Sequence, residues 1–334
     1  MKQILLASAA VVACALPMSA QAADLPLKAG PVAATPQATG YIEVYGGWAS
    51  TRETATVATS GSGGEFSDSL KGSVLGGAAR GNYWLSPNMS MQADVQAEGT
   101  SYNFSSGSSS STASSLDYLI GAHVNWRESN RGLTGAFAGI GDVNSTRHAV
   151  LGVEAQYYWS PQVTLYGQAG YDMTLHSVGG AFDFDAWFIR GTGRYYLTPN
   201  LRLEATGMYA DGTLNVSAFG CSTFSCAFDA GFSTVLWEAK AEWKMDNSPF
   251  ALFFKYRGSQ TDYNASAVPC SGCTPFGADF KVTDNRFLVG ARMYIGEKTL
   301  LWNDRQGTTL DIISPLAIQS SPLYGFFSSP SISR

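Results

Sequence analysis

Ionisable side chains recur at alternate positions in this chain, and that spacing limits what chemistry they can do. Arg190 and Arg194, Arg202 and Glu204, Lys255 and Arg257, and Arg286 and Arg292 each lie an even number of residues apart. Asp94 and Glu98 do the same within MSMQADVQAEGT (89–100), and Glu154 and Lys240 sit in stretches of the same kind. Even separation puts two side chains on one face of a strand. Opposite charges facing each other across neighbouring strands neutralise one another and stabilise a sheet. A basic stripe facing an acidic one across an enclosed space would instead orient or select charged solutes. Both readings are open. If the LTPN turn (197–200) pairs Leu197 with Leu201, Arg194 lies directly opposite Glu204.

Nucleophiles and metal ligands are sparse. His123, His148 and His176 are the three histidines, and none has a serine two residues on. Ser177 adjoins His176, but neighbours on a strand point to opposite faces. Asp172, His148 and His176 could approach one another at a sheet rim, a weak hydrolytic pattern; His123 reads as a satisfied polar residue. GIGDVN and GTGRYY contain close glycines yet complete no dinucleotide fingerprint. Cys221, Cys226, Cys270 and Cys273 fall into two local pairs. In an exported chain they most simply form two disulfides. A four-thiolate zinc site and a redox pair are the alternatives. No cofactor is expected.

The elements that carry these residues are strands. In 89–100, Met89, Met91, Ala93, Val95, Ala97 and Gly99 alternate with Ser90, Gln92, Asp94, Gln96, Glu98 and Thr100. Period-2 alternation separates an apolar from a polar face, which a helix of period 3.6 would mix. The same alternation recurs from Tyr41 to Ile295 and predicts about twelve strands. Tight connections (85–88, 127–132, 159–162, 197–200, 244–249) alternate with longer links rich in Ser, Gly and Thr (51–70, 103–116, 142–148, 174–186, 211–233, 260–284). Tyr83-Trp84, Trp126, Tyr157-Tyr158-Trp159, Tyr195-Tyr196 and Trp243 each precede a tight turn. Aromatics at one height form the girdle of a membrane–water interface.

The expectation is an all-β, antiparallel transmembrane β-barrel, with short periplasmic turns, long extracellular loops, and an apolar face toward lipid. The polar face, with the ionisable residues named above, would line a lumen. Composition agrees. Charged residues make up 14% and aromatic residues 13% of the 334, and the formal net charge is −5. Such low charge suits a molecule that shows its outside to lipid, and nothing in the balance suggests a nucleic-acid partner. No stretch approaches the apolar run of a transmembrane helix.

MKQILLASAAVVACALPMSAQA (1–22) reads as a secretory signal ending in an A-x-A cleavage site. Residues 23–39 read as a periplasmic linker, 40–296 as the barrel, and 297–334 as a C-terminal periplasmic tail. The signal, the mature start ADLP, the alternating strands and the last strand NRFLVGARMYI resemble porin-like outer-membrane β-barrel proteins of alphaproteobacteria. Gly290, Met293 and Ile295 stand where the assembly signal of that family's final strand asks. The chain departs from the family in continuing past that strand. The resemblance implies the cell outer membrane of a Gram-negative bacterium, outer-membrane lipid as partner, and passive diffusion of small hydrophilic solutes. A surface recognition or adhesion protein, acting through disulfide-stapled loops, is the other class to weigh. Neither reading is enzymatic.

Overall fold

A computed structural model describes residues 38–58, 63–106, 109–128, 130–143, 146–177, 182–217, 227–267, 276–296 and 298–315. The signal and all the cysteines lie outside these residues, as does the expected linker except at Ala38 and Thr39.

Twelve antiparallel strands close into one barrel. In chain order they are β1 (Ala38–Ala58), β2 (Gly63–Ser86), β3 (Met89–Ser106), β4 (Ser109–Glu128), β5 (Gly132–Val143), β6 (Thr146–Tyr158), β7 (Val163–Ser177), β8 (Phe182–Thr198), β9 (Leu201–Ser217), β10 (Ala227–Lys244), β11 (Phe250–Ala267) and β12 (Phe276–Ile295). Each pairs with its sequence neighbours, and β1 pairs with β12 from Gly40↔Ile295 to Ala58↔Gly277. Closure leaves no strand edge, as hydrocarbon requires of any spanning sheet.

The alternation read in 89–100 is observed. Ser90, Gln92, Asp94 and Thr100 are buried inside, while Met91 and Val95 are exposed outside. Aliphatic and aromatic side chains cover the outer surface all round, among them Ile42, Ile120, Val153, Phe254 and Val289. The exposed aromatics form two belts. Tyr83, Trp126, Tyr157, Trp159, Tyr195 and Trp243 ring the tight-turn end, and Trp48, Tyr118, Tyr171, Trp187 and Trp237 stand nearer the other. The span from Trp187 to Tyr195, like that from Tyr118 to Trp126, covers about 27 Å of strand. Tilted strands with that spacing present an apolar band of membrane height.

Three expectations need correction. Trp84, Tyr158 and Tyr196 are buried inside and take no part in the outer girdle. Consecutive residues on a strand face opposite sides, so only one of each adjacent aromatic pair can meet lipid. The Ser/Gly/Thr-rich links are mostly strand: β1 runs to Ala58 and β2 starts at Gly63, and β11 and β12 likewise extend to Ala267 and from Phe276. Once pairing is established, the ladder continues into polar sequence, because each further residue adds backbone hydrogen bonds.

The third correction concerns the tail. Described residues 298–315 lie inside the barrel, and do not hang below it. Gly296 makes the turn from wall to lumen. Its φ is +76°, and a Cβ there would sit 2.8 Å from the Ala38 carbonyl oxygen. Only glycine accepts both conditions at no cost. A short helix follows, α1 (Leu300–Gln306). The Thr299 hydroxyl caps it by accepting from the Trp302 N–H at 3.0 Å. Gly307 ends it, donating its N–H to the Asn303 carbonyl at 2.7 Å. Leu300 is fully buried among Tyr41, Tyr196, Ala251 and Tyr294 at the tight-turn end. From Gly307 the chain runs extended up the lumen.

Candidate functional site: the occupied lumen

The wall brings the ionisable residues into three groups. Near the tight-turn end, Glu242 gathers three cations. It accepts from Arg202 at 2.6 Å and Arg292 at 3.0 Å, with Lys240 Nζ at 3.1 Å, and also from the Tyr294 hydroxyl at 2.6 Å. Arg292 also donates from Nε to Glu43 at 2.9 Å. Arg194 and Glu204 are register partners across β8 and β9, as the turn spacing predicted, with Nε 2.7 Å from Oε2. A bulge between Tyr196 and Thr198 shortens the turn, so Thr198 rather than Leu197 pairs with Leu201.

Midway up, His123 lies between two acids, with Nδ1 2.9 Å from Glu154 Oε1 and Nε2 3.0 Å from Asp94 Oδ2. Glu154 also accepts from the Tyr166 hydroxyl and from Gln168 Nε2 at 3.2 Å. Nearer the far rim, Glu98 accepts from Arg257 at 2.7 Å, from Tyr45 at 2.9 Å and from Arg286. Arg286 also donates to Asp284 at 2.6 Å. Lys255 Nζ stands 3.7 Å from Glu238. The charges read from the sequence therefore meet inside as pairs, and the neutralised arrangement prevails over segregated stripes. Removing one partner of such a buried pair costs about 3–5 kcal/mol, because the other is left uncompensated.

The tail is held by this wall along its described length. Asp304, fully buried, accepts from Thr164 at 2.6 Å, from Gln156 at 3.2 Å and from Arg194. Backbone carbonyls are caught in turn: Gln306 by Trp84 Nε1 at 3.1 Å, Gly307 by Arg127 at 2.9 Å, and Ile312 by Gln96 at 3.0 Å. The Thr309 N–H donates to Gln92 at 2.6 Å. Asp311 lies between two arginines: Arg190 Nη2 is 2.9 Å from Oδ1, and Arg80 Nη2 is 3.4 Å from Oδ2. Burial in the lumen would raise the Asp311 carboxyl; Arg190 and Arg80 outweigh it and hold the group well below the usual carboxylate range.

Ile312 fills an apolar layer that the sequence reading missed. Leu119, Phe137, Val150, Phe188, Met208 and Leu236 point inward around it. Above lies a second layer in which Phe184 stacks on Phe232 at 5.1 Å beside Tyr263, Leu214 and Val282. Parity was the signal. Phe184 and Phe188 share the face of Arg190, and Leu236 shares that of Lys240. Charged residues marked the inner face, but inward aromatics of the same parity were not followed up the strands.

Ser314, His148 and Asp172 meet at the top of the tail. The Ser314 hydroxyl donates to Asp172 Oδ2 at 2.6 Å and lies 3.4 Å from His148 Nδ1, the same nitrogen that faces Asp172 Oδ1 at 2.8 Å. A serine nucleophile needs its own imidazole nitrogen, with the acid on the other one. This geometry anchors the tail and does not activate Ser314. His176, the third residue of the weak hydrolytic pattern, is exposed on β7.

Between tail and wall is a polar cavity of about 40 Å³. Arg80, Arg190, Arg194, Lys240 and Lys255 line it, with Asp311 from the tail. No group of residues that could hold a metal ion occurs among the described residues.

The fold is a closed antiparallel β-barrel of twelve strands. It is similar to an outer-membrane channel from Pseudomonas putida F1, at 12% identity and a TM-score of 0.49, over 77% of this chain and 95% of that one. It is also similar to the outer-membrane protease OmpT from Escherichia coli, at 12% identity and a TM-score of 0.39, over 78% and 98%. The NanC porin matches at 6% identity and a TM-score of 0.40, over 74% and 100%. No family model matches the chain, and no curated protein does.

Proposed function

We propose that this chain is a porin-like channel of the Gram-negative outer membrane whose lumen is closed by its own C-terminal segment, with small hydrophilic solutes as its cargo. The observation that carries this reading is the way the lumen is filled. A barrel built only as a scaffold could complete its interior from the wall. Here the wall leaves a space that a separate segment fills, tied covalently at Gly296 and otherwise held by hydrogen bonds, ion pairs and inserted apolar side chains, among them Leu300 and Ile312. Such a segment can leave without breaking the barrel. The polar face, rich in arginine and glutamate, is then what a passing solute would meet.

Closure sits at two levels, the tail and the Phe184–Phe232 layer, and an apolar constriction of that kind blocks ions by excluding water. The test is conductance in planar bilayers. The intact chain is expected to be closed for most of the time. A form ending at Ile295 is expected to give steady steps, larger when Phe232→Ala is added. Silence in all three forms, each shown by heat-modifiable migration to be a folded barrel, contradicts the reading.

A further inference from the structure

Arg190 is 3% exposed, and among the described residues the only carboxylate paired with it is Asp311 of the tail. Every other cation lining the cavity has a carboxylate from the wall: Arg194 has Glu204, Lys240, Arg202 and Arg292 share Glu242, Lys255 has Glu238, and Arg80 has Asp94 at 3.8 Å. When the tail withdraws, Arg190 loses the one carboxylate paired with it, and an anion that takes the place of Asp311 restores that pairing. Arg194 likewise loses the carboxylate of Asp304.

The geometry at Asp311 is that of a bound ligand. Arg190 grips its carboxylate with Nη2 and its backbone carbonyl with Nη1, both at 2.9 Å, while Arg80 approaches the second carboxylate oxygen. A planar guanidinium fork suits this recognition of a carboxylate, and a lysine would not reproduce it. Among the described residues Arg190 Nε is buried without a hydrogen-bond partner, and the Arg190 side chain also lines the adjoining cavity.

We propose that the tail is an internal stand-in for an anionic solute. Asp311 occupies a carboxylate site made by Arg190 with Arg80, and a small solute carrying a carboxylate displaces the tail by binding the same two arginines. This deepens the channel reading by giving the cargo a chemical class and the opening a trigger. Release of the tail is the event to be measured, and it is read without any ion current.

Limited trypsin digestion of the full chain in detergent micelles, followed at Arg305, reports that release. Succinate at constant ionic strength should speed cleavage at Arg305 about tenfold, equivalent to about 1.4 kcal/mol. Sodium chloride and the dication putrescine should leave it unchanged. Asp304→Asn with Asp311→Asn should be cleaved fast with or without succinate. Arg190→Gln should lose the succinate response, and Arg80→Gln serves the same purpose where Arg190→Gln does not assemble. Cleavage indifferent to succinate, equal acceleration by putrescine, or a full succinate response in both arginine variants overturns the proposal. A barrel that responds to succinate yet never conducts would overturn the channel reading and leave the carboxylate site standing.

Discussion

At the scale of single residues, Asp311 sets how acid governs closure. Withdrawn into water, its carboxyl titrates near an ordinary value of about 3.9. Docked, it is held below that by Arg190 and Arg80, against the effect of burial. A group whose docked pKa is depressed contributes binding that is complete above the free value, starts to fall below it, and is lost as pH falls on through the docked value. Conductance of the intact chain should therefore be as low at pH 5 as at pH 8, and should rise only below about pH 4. Opening centred between pH 6 and 7 would point to a histidine in place of Asp311. Much at this scale was legible in the sequence. The inward set was found from parity, and the Arg194–Glu204 contact was found from a turn. The partners of Arg190 were not. Its carboxylate partner, Asp311, lies far along the chain, and no local spacing reports a contact made by a segment that doubles back.

Among the elements, strands were readable and the tail was not. Strand faces follow from a period of two, which a lipid exterior and a polar interior both enforce. Strand ends were missed because Ser, Gly and Thr suit loops and polar strand extensions equally. The tail was placed outside because its sequence, TLLWNDRQGTTLDIIS, has no strand alternation that would tie it to the wall. Its cues were there in hindsight: a Thr cap, a Gly stop and two isolated aspartates. Adjacent positions on β3 separate the two roles of the sheet. Val95 faces outward and Gln96 inward, where its amide donates to the Ile312 carbonyl at 3.0 Å. Val95→Arg should cost about 2–4 kcal/mol of folding stability in lipid vesicles, the penalty of a charge near the bilayer midplane. Gln96→Arg should leave the barrel assembled and loosen the tail, read as higher conductance. Equal loss of assembly for both changes would contradict the assignment of faces.

For the whole molecule, the barrel and its lumen segment make one interior. The wall supplies a ring of paired charges around Glu242, a bridge of acids about His123, and two apolar layers above them. The tail crosses them in order: Leu300 among tyrosines, Asp304 and Asp311 among arginines, and Ile312 in the lower apolar layer. That match between successive tail residues and successive levels of the wall is what makes the segment a plug with a defined register. Its location is also the most exposed claim in this account. A photo-reactive benzoyl-phenylalanine placed at Ile312 in the full chain, activated in outer-membrane vesicles and mapped by mass spectrometry, tests it directly. Cross-links to Leu119, Phe137, Phe188, Met208 or Leu236 inside the same chain are the predicted result. Cross-links confined to solvent or to other periplasmic proteins, with none inside the barrel, would contradict it.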